Sequence, residues 1–279
     1  MTPPRARALV ASDLDRTLVY SEAALGLRVP DAEAPRLLCV EVYEGRPLSY
    51  LTESAARLLG ALGRAAAFVP VTTRTRAQYG RIRLPGPEPA FAICANGGEL
   101  LVDGVPDAAW RSRVADRLAA RSAPLAEVRA HVRDSADPAW VHKERVADDL
   151  FVYLVVDRPR LPGGWVEDLA GWAGERGWTV SLQGRKVYVV PAPLTKSAAV
   201  AEVARRTGSD LVLAAGDSLL DADLLLAADR AWRPGHGELA ETGWHAPHLT
   251  VLSERGVLAG ERILREFSAA VRDHARDHA

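Results

Sequence analysis

The sequence predicts an α/β fold in which a parallel sheet is interrupted part-way by a smaller α+β insert. Three observations carry this. Short apolar runs at 8–11, 66–71 and 211–215 each end in a polar turn, as strands buried on both faces of a parallel sheet do. Helically spaced segments fill the intervals around them. From about residue 104 to 185 the alternation stops, and helices are followed by strands that meet across a tight turn. A chain of 279 residues is long enough for such a core plus an insert.

The run Ala8-Leu9-Val10-Ala11 enters Ser12-Asp13 and reads as the first buried strand. Residues 50–63 place Tyr50, Leu51, Ala55, Leu58, Leu59 and Leu62 at helical spacing, with Thr52 as N-cap and Glu53 in the first turn. A second buried strand at 66–71 leads into Thr72-Thr73-Arg74. A third run, 90–95, ends in Asn96-Gly97-Gly98, across which 99–102 can pair back. In the insert, 110–120 and 124–132 read as helices, 150–156 as a strand and 165–176 as a helix. Strands at 178–182 and 186–190 then flank Gln183-Gly184-Arg185. Trp110, Trp140, Trp165, Trp172 and Trp178 gather in this region and read mostly as its own core. After Pro191 and Pro193 the alternation returns, with a Thr195-capped helix at 195–206, a strand at 211–215 and a helix at 219–228. The tail from Ser268 reads as a fraying helix. The core is therefore assigned to 1–103 and 186–279, and the insert to 104–185.

Composition narrows the function. A net charge of -1, from 35 basic and 36 acidic side chains, lacks the basic excess of a general nucleic-acid or membrane-surface binder. Cys39 and Cys94, each flanked by apolar residues, are too few for a disulfide scaffold or a zinc site and read as buried thiols in a reducing compartment. The apolar stretch after Arg5 and Arg7 is too short for a signal-peptide core, and no run approaches a membrane span. A cytoplasmic protein is expected. Only Lys143, Lys186 and Lys196 among the basic residues are lysines, so each lysine position is informative.

Asp13-Leu14-Asp15-Arg16-Thr17 follows the first strand directly, at the end of a parallel sheet where ligands bind. Residues two apart on extended chain project the same way, and two carboxylates held together call for a cation or a shared proton. That suits magnesium, with one aspartate as ligand and nucleophile and the other as acid and base. The same five residues would also serve as an Asx turn with Thr17 as cap. Gly216-Asp217-Ser218-Leu219-Leu220-Asp221 repeats the placement after a later strand. Thr72 and Thr73 offer hydroxyls and amides for a phosphate, or simply a helix cap. Lys196 opens a helix, where it opposes the macrodipole, so a structural reason for it is weak.

Together these residues resemble the haloacid-dehalogenase (HAD) superfamily of phosphotransferases. Asp13 to Thr17 looks like its Asp-x-Asp-x-Thr motif, and Thr72 like its strand-ending Thr or Ser. Lys196 looks like its helix-opening Lys, and Gly216 to Asp221 like its Gly-Asp-x-x-x-Asp motif. The resemblance spans residues 9 to about 260. An insert between the second and third motifs resembles the type-II cap. Its helices, antiparallel strands and Asn96-Gly97-Gly98 turn look like the C2B cap shared by sucrose-phosphate phosphatase, mannosyl-3-phosphoglycerate phosphatase, the Cof-type sugar phosphatases and phosphomannomutase. The implied fold is a Rossmann-like parallel-sheet HAD core with an inserted α+β, C2-type cap.

The implied activity is a Mg2+-dependent phosphatase acting on a small phosphorylated metabolite, such as a sugar phosphate, through an aspartyl-phosphate. Asp13 would be the nucleophile, Asp15 the acid and then the base, and Lys196 the catalytic cation. Magnesium would be held by Asp13, the backbone carbonyl of Asp15, Asp217 and Asp221, the last as ligand or just behind it. Thr72, Thr73, Arg74 and Asn96 in the core, with Lys143 and Lys186 in the cap, would bind substrate. No nucleic acid or membrane is an expected partner, and no oligomeric state follows. A phosphomutase, or a HAD-like binding or regulatory module, are the alternative readings. Two residues depart from the pattern: Arg16 stands where glycine is usual, and Leu220 where asparagine is usual.

Overall fold

The computed structural model describes residues 8–278; the basic segment with Arg5 and Arg7 lies outside the described residues. Strand β1 (Ala8–Ser12) is wholly buried. A hairpin follows, β2 (Leu37–Tyr43) and β3 (Arg46–Thr52), closed by Glu44 and Gly45, both at positive φ (51° and 72°) as a two-residue hairpin turn of this hand requires. Helix α1 (Glu53–Ala65) starts where Thr52 accepts from Ala55 N at 2.9 Å, so the expected cap is present. Tyr50 and Leu51, expected in the helix, belong instead to β3, because their spacing fits either period over so short a span.

Strand β4 (Ala67–Pro70), the short helix α2 (Arg76–Tyr79) and the antiparallel strands β5 (Phe91–Cys94), β6 (Glu99–Val102) and β7 (Val105–Pro106) complete the first half. The insert contributes helices α3 (Ala108–Arg121) and α4 (Leu125–Ser135), strands β8 (Val141–Ala147) and β9 (Phe151–Val156), helix α5 (Trp165–Gly174) and strands β10 (Trp178–Gln183) and β11 (Lys186–Pro191). The chain then forms α6 (Lys196–Thr207), β12 (Leu211–Ala215), α7 (Ala222–Ala227), β13 (Arg230–Arg233), α8 (Glu238–Glu241), β14 (Leu249–Val251) and α9 (Val257–Asp277). The tail from Ser268 continues α9 and is docked rather than frayed, with Ala270 and Val271 buried and His274 Nε2 3.0 Å from Asp210 Oδ1.

The main sheet runs β14-β13-β12-β1-β4, all parallel. Alternation along β1 sends Leu9 and Ala11 to one face, against Val200 and Leu224, and Ala8 and Val10 to the other, against Leu59 and Phe267. The sheet is thus covered on both sides, which is why its strands read as unbroken apolar runs. The insert's sheet is antiparallel, in the order β10-β11-β9-β8. One of its faces packs Val152, Leu154, Val187 and Val189 with Val128 and Val132 of α4 and Leu169 of α5. β11 pairs with β10 and β9, so the expected boundary at 185/186 falls inside a hairpin.

Trp110, Trp140 and Trp178 are buried in the insert. Cys94 is buried as expected, but Cys39 is exposed on the open side of β2. Among the described residues no helix is long and apolar enough to cross a membrane.

Candidate active site

β1 lies between β12 and β4, so the segments that leave these three strands meet at one sheet end. Asp13 N donates to Ala215 O at 2.9 Å and Val71 N to Ser12 O at 2.8 Å, before the chains diverge. The crevice that opens is the usual ligand position of an open parallel sheet.

Lys196 is the first residue of α6 and is fully buried. Its Nζ lies 2.7 Å from Asp13 Oδ1 and 2.5 Å from Asp221 Oδ1. Burial alone would lower the lysine's pKa; the two carboxylates outweigh it and hold the ammonium above its usual range. They also offset the unfavourable end of the helix dipole.

Asp221 is committed on both oxygens. Oδ1 takes Lys196, while Oδ2 accepts from Asp217 N (3.1 Å), Ser218 N (2.9 Å) and Ser218 Oγ (2.7 Å). The turn wraps so tightly that a Cβ on Gly216 would stand 2.3 Å from Asp221 Cβ, so glycine is required there. Asp221, expected as a metal ligand or just behind one, thus enters the acidic cluster with Oδ1 on Lys196 and Oδ2 bound into the turn. Leu220 is buried against the apolar core, so its departure from the family pattern adds packing.

Asp13, Asp217 and Asp221 bring carboxylate oxygens within 4.8 Å of one another. Burial pushes Asp13 up to about 7, against the pull of Lys196, and pushes Asp217 up as well, with Asp13 and Asp221 adding to it. Lys196 pairs with Asp13 and Asp221 and the Arg16 guanidinium stands 3.4 Å from Asp217, while among the described residues the second oxygen of Asp13 and the carboxylate of Asp217 accept no hydrogen bond. A hard divalent cation such as Mg2+ fits this surplus of anionic oxygen.

Asp15 stands at the edge of the crevice with 39% of its side chain open. Arg74 holds it in a fork, Nε to Oδ2 and Nη2 to Oδ1, both at 2.7 Å. Burial would raise the Asp15 pKa, but the Arg74 charge and hydrogen bonds prevail and bring it down to about 2. Arg74 Nη1 donates to Glu41 Oε2 at 2.8 Å. Glu41, reached from β2, also accepts from Ser49 Oγ (2.6 Å) and Arg81 Nε (3.1 Å). Arg74 was expected on the substrate; its guanidinium is occupied by Asp15 and Glu41.

Thr72 and Thr73 are buried at the same strand end, with Thr72 Oγ1 accepting from Arg74 N at 3.1 Å and its own proton free to donate. Asn96, expected on the substrate, stands behind Thr72, whose carbonyl accepts from Asn96 N at 3.0 Å. It is buried and donates through Nδ2 to Leu194 O at 2.8 Å, tying together the two chain crossings between core and insert. Lys186 reaches the site from β11: its ammonium lies 5.8 Å from the Tyr153 ring centre and 5.9 Å from that of Tyr188, and its charge acts on Asp15. Lys143 is exposed on the same sheet.

Arg16 adopts φ 65°, a conformation glycine takes more easily. His236 supports this turn, with Nδ1 accepting from Gly256 N (3.1 Å) and Nε2 donating to Arg16 O (2.8 Å). The Arg16 Nε stands 3.4 Å from Asp217 Oδ2 without making a hydrogen bond. Glu238 joins core to insert: it accepts from Leu219 N (2.9 Å), Ser181 Oγ (2.6 Å) and Leu182 N (2.9 Å). Sequence reading missed Glu41, His236 and Glu238. Of these only Glu41 carried a signal, a lone acid inside the apolar run Leu37–Tyr43.

Solved structures share this architecture. The sucrose-phosphatase of Synechocystis sp. PCC6803, determined with sucrose and phosphate, is similar over 94% of this chain and 98% of its own, with TM-score 0.63 and 17% identity. The C-terminal domain of trehalose-6-phosphate phosphatase from C. albicans matches over 95% and 92%, with TM-score 0.55 and 14% identity. A phosphatase of the haloalkanoate (HAD) superfamily from Bacteroides thetaiotaomicron matches over 96% and 97%, with TM-score 0.54 and 14% identity. No family model and no curated protein matches the sequence. At these identities the likeness is one of fold: a HAD-type α/β core carrying an inserted α+β cap.

Proposed function

We propose that this protein is a phosphoric monoester hydrolase that uses Mg2+ and acts on a small phosphorylated metabolite, a sugar phosphate. The observation that carries the reading is the buried Lys196 ammonium shared by Asp13 and Asp221, beside an Asp15 held by Arg74. The fold likeness to a sucrose-phosphatase and a trehalose-6-phosphate phosphatase supports the substrate class.

In this reading the free oxygen of Asp13 attacks phosphorus, and the bond from phosphorus to the leaving alcohol breaks. The leaving oxygen takes the proton of the Asp15 carboxyl. Asp15 then takes a proton from water, whose oxygen attacks phosphorus; the bond to Asp13 breaks and phosphate departs, restoring both aspartates. The Arg74 fork favours the ionised Asp15 needed for the second step, so the first step requires the carboxyl to leave Arg74 and carry a proton. Lys196 has three N–H donors, two spent on carboxylates, which leaves one for a phosphoryl oxygen. Thr72 Oγ1 supplies another. Asp13 and Asp217 would hold Mg2+, which when bound offsets the charge between Asp13 and the phosphoryl oxygens. The cap would shield the site from water and select the leaving group, and the free thiols of Cys39 and Cys94 in the core fit a reducing, cytoplasmic setting.

Release of phosphate from a panel of sugar phosphates, with Mg2+ and with chelator, tests this. Asp13→Asn should lower turnover at least about a thousandfold with an unchanged circular dichroism spectrum. A folded variant with near wild-type turnover would overturn the assignment.

A further inference from the structure

The cap sheet has a second face, away from its helices, and its composition is one-sided. Residues directly opposite in an antiparallel sheet share a face. Register therefore places Lys143, Val155, Lys186 and Gln183 in one row, and Arg145, Tyr153, Tyr188 and Ser181 in the next. Glu144 falls on the other face, where it pairs with Arg129 and Arg133 of α4. The four strands put three cations on the open face and no carboxylate.

This face looks onto the crevice. Gln78 Nε2 of α2 donates to the Tyr153 hydroxyl at 3.3 Å, and Ser181 Oγ donates to Glu238 at 2.6 Å. Between these two contacts stands Lys186, on the side of Asp15. The Tyr153 and Tyr188 rings, both buried and 5.3 Å apart, fix where its ammonium stands. From below, Arg16 reaches the same seam: a Cβ built on Gly184, in the β10–β11 turn, would meet Arg16 Nη1 at 3.4 Å.

The transferred phosphoryl group already has Lys196 and Thr72. Lys186 and Arg16 lie beyond it, on the side where the leaving alcohol would sit. Sugar hydroxyls ask for acceptors as well as donors, whereas ammonium and guanidinium groups only donate. Asp217, 3.4 Å from Arg16, and Asp15, on which the Lys186 charge acts, offset these cations only in part, and a wholly neutral leaving group would desolvate them further without adding a counter-charge.

We infer that the alcohol half of the substrate carries a second anionic group, a carboxylate or a further phosphate, bound between Lys186 of the cap and Arg16 of the core. The inference rests on the phosphatase reading and narrows its substrate. It gives Arg16 a purpose: a glycine would relax the turn but leave the anion with a partner on one side only.

Three matched esters separate the possibilities: glucose 6-phosphate, 6-phosphogluconate with an added carboxylate, and glucose 1,6-bisphosphate with an added phosphate. Binding is measured by calorimetry on Asp13→Asn, and turnover on the wild type. At least one of the two doubly anionic esters should bind about tenfold or more tightly than glucose 6-phosphate. Which one does so tells carboxylate from phosphate. Lys186→Gln and Arg16→Gly should each reduce that preference severalfold, weakening the favoured ester more than the neutral one. Equal binding of all three, or variants that weaken all three alike, would overturn the inference. Turnover without the preference would leave the phosphatase reading standing and remove only this inference. The preference without turnover of any ester would do the reverse.

Discussion

The left-handed turn at Arg16 rests on a histidine that must stay neutral. His236 accepts Gly256 N–H at Nδ1, so its proton is on Nε2, where it meets Arg16 O at 2.8 Å. Burial, with the Arg16 and Arg255 charges adding to it, pulls its pKa down from 6.5 to about 4. Between those values the unfolded chain binds a proton that the folded chain refuses. Stability from this site is therefore fully present above pH 6.5 and is lost as pH falls toward 4. From pH 8 to pH 4.5 the linkage amounts to about 2–3 kcal/mol. A protonated ring would also point two N–H groups at each other across the Gly256 contact. His236→Gln keeps a donor for Arg16 O and removes the titration. Urea unfolding of both proteins at pH 8 and pH 4.5 isolates the term from other acid effects. The wild type should lose about 2–3 kcal/mol more than the variant over this interval. Equal losses would show that His236 is not held neutral by its surroundings, and the account of the turn would fail.

Two further perturbations address the site's supports. Removing the fork with Arg74→Gln leaves only the Lys186 and Lys196 charges to oppose the burial that raises the Asp15 pKa, so the acidic limb of the kcat profile should move up by about one pH unit or more; a limb that stays in place would separate Asp15 from that ionisation. Glu238→Gln turns an acceptor oxygen into an amide facing the Leu219 and Ser181 donors, and should cost about 2–3 kcal/mol in denaturant unfolding and raise KM for the preferred ester. Unchanged stability and KM would show that the carboxylate does not hold cap to core.

The candidate site was largely legible because each of its segments ends an apolar run, and a parallel strand's end is where ligands gather. Lys196 stood out because a lysine at a helix start has little structural reason to be there. What escaped reading depended on partners distant in sequence. Arg74 looked like a phosphate ligand because Thr72 and Thr73 precede it, yet its partner Asp15 lies 59 residues away. The β2–β3 hairpin hid because its pairing is irregular around Glu41 and its outer face leaves Leu38 and Val42 exposed. β8 reads Val-His-Lys-Glu-Arg-Val-Ala and resembles a solvated loop, since one of its faces borders a polar crevice. Arg16 was visible as a departure, but only the fold shows that its backbone keeps the glycine conformation while its side chain reaches Asp217.

The two strands of chain joining core to cap touch each other: Asn96 Nδ2 bonds Leu194 O, and a Cβ on Gly97 would lie 2.2 Å from Thr195 O. They form a single pivot rather than two independent tethers. That pivot ends one residue before Lys196, so any swing of the cap applies its torque next to the ammonium that Asp13 and Asp221 grip. The joint between core and insert and the seat of the buried Lys196 are one piece of backbone.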